Sequence, residues 1–164
     1  MSYFKQTIDG DIGTLEFDTP DSSVNILSSA ALTELEQQLD EIAGRSDIKV
    51  LLITSAKKSI FIAGADIKEI ESITDPQEAS EKCNRGKQVF DKLEKLPQIT
   101  VAVINGACLG GGYELSLACT YRVAGFAGCV KIGLPEVRLG ILPGFGGCVR
   151  LPKLIGIGNA LSVI

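Results

Sequence analysis

The sequence predicts an α/β domain built on a parallel sheet, and three stretches predict it. Val50 to Thr54 (V-L-L-I-T) and Ile99 to Ile104 (I-T-V-A-V-I) are continuous apolar runs, the pattern of strands buried on both faces. Between them lies a long amphipathic segment. Strand, helix and strand in that order imply a right-handed crossover that leaves the two strands parallel. At 164 residues, with 45% hydrophobic and 22% charged side chains, the composition is that of one ordinary globular domain.

The elements follow in chain order. Tyr3 to Ile8 and Gly13 to Phe17 are short strands, and the D-G-D link between them predicts a hairpin. Ala30 to Ala43 is a helix whose Leu32, Leu35, Leu39 and Ile42 share one face, with Ser28 or Ser29 as N-cap and Gly44 as the stop. After the first buried strand, Asp75 caps a second long helix. Pro76 takes its first position, Glu78 completes a capping box, and Val89, Phe90 and Leu93 lead toward Pro97. Beyond Ile99 to Ile104 come consecutive glycines, a helix from about Gly111 to Cys119, a short strand around Val130 to Ile132, and the loop L-P-E-V-R-L-G-I-L-P-G-F-G-G. No repeat of fixed period is visible. Leu161 to Ile164 reads as the start of an apolar helix, so further sequence is expected to follow it.

Composition excludes several chemistries. The net charge of −4 is scattered, with no basic stripe for nucleic acid, and no apolar stretch is long enough to span a membrane. Five cysteines without a C-x-x-C pair, and an N-terminus lacking a signal peptide's apolar run, indicate a reducing compartment: the cytoplasm, or an organelle matrix. These cysteines read as small buried hydrophobes. There is no histidine. Ser-His-Asp and Cys-His catalysis and histidine-ligated zinc are therefore ruled out, and no metal is expected. Proton transfer near neutral pH falls to carboxylates, a perturbed lysine or cysteine, or water.

Two glycine-rich segments are candidates for binding an anion or a developing oxyanion. In I-N-G-A-C-L-G-G-G-Y-E-L, a buried strand runs into Gly110, Gly111 and Gly112 and then a helix, which presents free N–H groups at a positive dipole end. The pattern fits neither G-x-G-x-x-G nor a P-loop. In F-I-A-G-A-D-I-K-E, Asp66 caps the next helix and frees neighbouring N–H groups such as that of Ala65. Against these stand plainer readings: tight helix-to-sheet packing, the usual one for a lone G-x-G, at the glycines, and a simple N-cap at Asp66. Glu114 lies in the first turn after Gly111, and Glu136 stands in the apolar G-L-P-E-V. Singly, each glutamate reads more readily as a surface or capping residue. As a pair without histidine they become the leading acid/base candidates, because burial and mutual repulsion can keep one protonated beside one ionised. Tyr113 could shape a pocket or lie at the surface.

The motifs S-V-N-I-L-S, F-I-A-G-A-D-I-K, I-N-G-A-C-L-G-G-G-Y-E-L, G-L-P-E-V-R-L-G-I-L-P-G-F-G-G and R-L-P-K-L-I-G occur in the order of the crotonase (enoyl-CoA hydratase) superfamily, which the chain resembles along its whole length. The F-I-A-G-A-D form, and two residues more between the glutamates than monofunctional hydratases usually carry, most resemble the hydratase domain of multifunctional fatty-acid oxidation proteins. The resemblance implies a spiral of β-β-α turns lacking the family's C-terminal helices, so that residues 1–164 form an incomplete hydratase domain. It implies that the amides of Ala65 and Gly111 grip the thioester oxygen of an acyl-CoA, and that Glu114 and Glu136 direct water to a 2-trans-enoyl-CoA. Ala63, Gly64, Asp66, Ile67 and Lys68, with Gly110, would hold the CoA portion. No cofactor is implied beyond the coenzyme A of the substrate. A homo-oligomer is implied, and a thiolase subunit as partner if the chain belongs to a β-oxidation complex. Enoyl-CoA isomerisation, other acyl-CoA chemistry of the family, and a non-catalytic acyl-CoA-binding fragment remain the alternatives.

Overall fold

The computed structural model describes residues 2–164. β1 (Phe4–Asp9) and β2 (Ile12–Phe17) form the expected hairpin, closed by Gly10 at φ 58° and pairing Asp9 with Ile12. α1 (Ser29–Ala43) starts where the sequence predicts: the Ser28 side chain accepts the Ala31 N–H at 3.2 Å, which satisfies one orphan donor of the first turn. Its Leu35, Leu39 and Ile42 are fully buried, each contributing about 1.5–3 kcal/mol relative to exposure.

From β3 (Val50–Ser55) onward the chain spirals. Each turn lays one strand in a large sheet and the next in a small one: β3 then β4 (Ile60–Ile62), β5 (Ile99–Ile104) then β6 (Ala107–Leu109), β7 (Tyr121–Ala124) then β8 (Ile132–Gly133). The large sheet has the order β1-β2-β3-β5-β7, parallel apart from the β1–β2 hairpin, and the small sheet the order β4-β6-β8, all parallel. Helices return the chain between turns: α2 (Ile67–Glu71) with α3 (Pro76–Glu94), then α4 (Gly111–Ala118), and, after β8, a 3-10 turn (Glu136–Leu139), α5 (Gly147–Ile155) and α6 (Ile157–Leu161). The large-sheet strands begin at Val50, Ile99 and Tyr121, so the turns of the spiral are unequal and leave no fixed period in the sequence.

Some expectations need correction. Leu51 and Ile53 are fully buried, but Val50, Leu52 and Thr54 are only half-buried, and Ile99, Tyr121 and Val123 on the same outer face are exposed. The strands are thus sealed on one face only, because α1, α3 and the small sheet all pack on the Leu51 and Ile53 side. At α3, Asp75 accepts the Gln77 N–H at 2.9 Å, whereas Glu78 extends forward to Lys82 instead of turning back to complete the box. The short strand starts two residues later than predicted and ends one later, at Ile132–Gly133. The apolar C-terminal helix is α6, and it ends at Leu161 rather than beginning there. Cys108 and Cys119 are buried, but Cys83 and Cys129 are half-buried and Cys148 is exposed.

Candidate active site

β4 and β6 are parallel neighbours, so the segments leaving their C-terminal ends emerge together at one edge of the small sheet. One segment is Ala63 to Asp66. It runs beside Asn25 to Leu27, with Ala63 N–H donating to Asn25 O and Leu27 N–H donating to Gly64 O, each at 2.9 Å. Asn25 is itself fully buried, and its amide bridges Phe17 O, Ser55 Oγ and Phe61 O, which ties this edge to the large sheet. The other segment is Leu109 to Gly111. Gly110 N–H is pinned to Gly133 O of β8 at 3.0 Å, and Gly110 O accepts the first helical bond from Glu114 N.

The glycines are needed for this crossing. Gly110 sits at φ 53°, ψ −125°, which side chains rarely adopt, and a Cβ there would lie 2.9 Å from Glu136 Oε1. A Cβ on Gly112 would lie 2.5 Å from Ile62 O, so α4 could not approach β4 as it does. The two segments come close enough that a Cβ on Gly110 would be 3.8 Å from Gly64 Cα. Ala65 and Gly111 follow one residue later. Among the described residues neither of their amides donates to a protein acceptor, and both residues line one cleft of about 340 Å³.

Glu114 and Glu136 line the same cleft. Glu114 is 1% exposed, and its Oε1 accepts two backbone N–H groups, from Phe145 at 2.8 Å and Gly147 at 2.7 Å. Burial pushes its carboxyl up to about 7; the two amides oppose that shift, the charge of Glu136 adds to it and Arg150 counters it. Glu136 opens the 3-10 turn and is 8% exposed; its Oε2 is buried with no partner among the described residues. Burial raises its pKa as well. Two buried acids that resist ionisation line one largely apolar cleft with two residues whose amides are unused, a set of groups that can exchange protons with a bound molecule while amides hold an oxygen that gains charge.

Of the other residues singled out in the sequence, Ala63, Gly64, Asp66, Ile67 and Gly110 line the cleft and Lys68 does not. Asp66 does cap α2, accepting the Lys68 N–H at 2.9 Å. Tyr113 packs between the two apolar clusters, away from the cleft lining. No residue type or spacing marks out Phe145 and Gly147, whose contribution is backbone N–H, or Arg150 and Asn25. Only the G-F-G-G that precedes α5 hinted at a special turn there.

The enoyl-CoA hydratase/isomerase family model matches residues 7–164. The fatty acid oxidation complex subunit alpha of Aliivibrio fischeri is 46% identical over 157 residues, which is 95% of this chain and 23% of that protein. That of Shewanella halifaxensis is 44% identical over 156 residues, again 95% of this chain and 22% of that protein. Among solved structures, an enoyl-CoA hydratase from Geobacillus kaustophilus superposes with a TM-score of 0.93 at 34% identity, covering 99% of this chain and 60% of its own. One from Bacillus anthracis gives 0.90 at 35%, covering 99% and 62%. The chain thus spans under a quarter of the length of its curated relatives. With the match running over nearly all of its residues, this chain belongs to the enoyl-CoA hydratase/isomerase family.

Proposed function

We propose that this chain is an enoyl-CoA hydratase unit acting in fatty-acid β-oxidation, adding water across the double bond of a 2-trans-enoyl-CoA to give the 3-hydroxyacyl-CoA. The observation that carries the reading is the meeting of two pKa-raised glutamates and two unused amides in one apolar cleft. Names of relatives agree with it: fatty acid oxidation complex alpha subunits and enoyl-CoA hydratases.

In this reading the thioester oxygen sits between the amides of Ala65 and Gly111, and a water sits between Glu114 and Glu136. One glutamate is ionised and takes a proton from the water as its oxygen bonds to C3. The π electrons move onto the thioester as an enolate, which the two amides stabilise, each by about 3 kcal/mol. The protonated glutamate then delivers its proton to C2. One proton enters the pair and one leaves, so the pair ends with the single shared proton it began with. Because Glu114 Oε1 is committed to two N–H donors, its Oε2 is the oxygen that carries or accepts that proton. Having both acids favours hydration over isomerisation, which needs only one proton-transferring group.

Ala63, Gly64, Asp66 and Ile67, which line the cleft, are proposed to contact the CoA portion, together with Lys68 of α2, which does not line it. A homo-oligomer is proposed as well, since Ile99, Tyr121 and Val123 leave apolar area exposed on the outer sheet face. A thiolase partner is proposed only within a larger oxidation complex. No helix is long and apolar enough to cross a membrane among the described residues, and the five cysteines are free thiols, in keeping with a reducing cytoplasm. The test is to measure crotonyl-CoA hydration and acyl-CoA binding for the wild type, Glu114→Gln and Glu136→Gln. A large loss of rate with nearly unchanged binding supports the reading; binding and rate that ignore both substitutions overturn it.

A further inference from the structure

The amides that hold Glu114 belong to Phe145 and Gly147, and one side chain braces the turn that carries them. Arg150 Nη1 donates to Phe145 O at 3.0 Å, Nε donates to Glu94 Oε2 at 2.9 Å, and Nη2 donates to Asp91 Oδ1 at 2.5 Å. Its side chain is 10% exposed, although Asp91 and Glu94 are themselves exposed. Both acids lie on α3, more than fifty residues away in sequence. The guanidinium lies across the turn so closely that a Cβ on Gly146 would be 2.3 Å from Nη1. The Phe145 ring anchors the same turn from its other side: it packs edge-on against Phe90, with centroids 5.6 Å apart, and over Gly86, where a Cβ would come within 2.3 Å of it.

An exposed ion pair contributes little on its own. Arg150 differs because its planar fork links three acceptors at once, two on α3 and one on the turn. Without it, Phe145 O loses its donor and the turn that carries the Phe145 and Gly147 N–H groups loses its polar tie to α3, so neither N–H is held as firmly on Glu114 Oε1. We propose that Arg150 is a positioning residue: by joining α3 to the Phe145–Gly147 turn it fixes the carboxyl of Glu114 in the cleft. Its effect on turnover rests on the assignment of Glu114 to proton transfer; its effect on the geometry and titration of Glu114 does not. The other charged group that acts on Glu114 is Glu136, and Glu114 in turn raises the Cys148 thiol on α5, after burial the main influence on it.

The test follows the Glu114 carboxyl by carbon-13 NMR across a pH series, its resonance assigned by its disappearance in Glu114→Gln. Arg150→Met removes both the charge and the brace, and the Glu114 midpoint is expected to rise by roughly one pH unit or more. Arg150→Lys keeps the charge but cannot reach three acceptors in one plane. Its midpoint is also expected to rise, which a purely through-space charge effect would not produce. A folded Arg150→Lys with the wild-type midpoint overturns the proposal, making Arg150 a staple for α5 and nothing more; this variant decides the matter if Arg150→Met does not fold. In a crotonyl-CoA assay, kcat is expected to fall by up to about 10²-fold with KM little changed. A wild type that hydrates nothing would refute the hydratase reading while leaving the NMR result standing.

Discussion

The two sides of the cleft present the same functional group on very different supports. Glu114 rides on α4, whose first turn is locked between β4 and β8, and its carboxyl is gripped by two amides of a separate turn. Glu136 rides on a four-residue 3-10 turn that also carries exposed Val137 and Leu139, and its Oε2 has no protein partner among the described residues. The protein clasps one carboxyl and leaves an oxygen of the other unclasped. Under the proposed hydratase reading the difference becomes a division of labour: a fixed carboxyl would set where a water must sit, and a less constrained one would complete the site with substrate.

The largest effect expected is on rate. Glu114→Gln and Glu136→Gln should each lower kcat for crotonyl-CoA hydration by about 10²–10⁴-fold, the usual worth of general acid or base catalysis. Because the pair handles one shared proton, the double variant should lose far less than the product of the single losses. Steady-state kinetics on the three variants checks this. Fully multiplicative losses would mean that the two sides act independently and that the comparison is wrong.

Next comes the pH dependence of stability, which separates the two supports. The Glu114 carboxyl titrates at about 7 in the folded chain against an ordinary value of 4.5, so between those values the folded state holds a proton that the unfolded chain releases. Wild-type stability therefore falls as pH rises through that window. Glutamine stays neutral, and its oxygen can still accept from Phe145 and Gly147. Glu114→Gln should be more stable than wild type at pH 8 by about 3 kcal/mol, and the advantage should vanish below pH 4.5. Urea denaturation at the two pH values measures it.

A pair of alanines then probes each support sterically. Gly147→Ala puts a Cβ 3.0 Å from Glu114 Cγ and 3.1 Å from Leu134 Cδ1 in a fully packed place, while Gly110→Ala combines a positive φ with a contact of 2.9 Å to Glu136 Oε1. Each should cost roughly 1–3 kcal/mol. Because the Glu136 turn can yield where the Glu114 clasp cannot, Gly147→Ala should reduce hydration more for the same loss of stability. Equal losses of activity would put the two supports on a par.

Much of this was legible from residue types, and the part that was not has physical reasons. α1 and α3 carry apolar faces of helical period with side-chain caps, and β3 and β5 are unbroken apolar runs, so pattern and punctuation agreed. Of the small sheet only β8 was anticipated; β4 and β6 escaped because three residues are too short for any period to register. β7, Y-R-V-A, carries an arginine and exposed side chains at the sheet edge. α5 begins on a glycine without a side-chain cap and contains Pro152, so neither end nor middle announces a helix. Within the cleft, Glu114 stood out because no histidine competes with it. The clasp did not: a backbone N–H has no residue type, and Arg150 meets its acids across a sequence gap that no local spacing reveals.

The smallest effect is the most direct measure of how far the two sides differ. Burial raises the Glu136 carboxyl too, so the sign is the same as for Glu114: the folded state keeps a proton above pH 4.5, and stability is lost as pH rises through the folded value. Ionising Glu136 meets less resistance, because its short turn has exposed neighbours and can shift to let water reach Oε2. Glu136→Gln should therefore gain stability at pH 8 over a narrower pH window and by a smaller amount than Glu114→Gln, as the same urea curves would register. A gain as large as that of Glu114→Gln would mean that the 3-10 turn holds its acid as rigidly as α4 does, and the division of labour between the two glutamates would have to be abandoned.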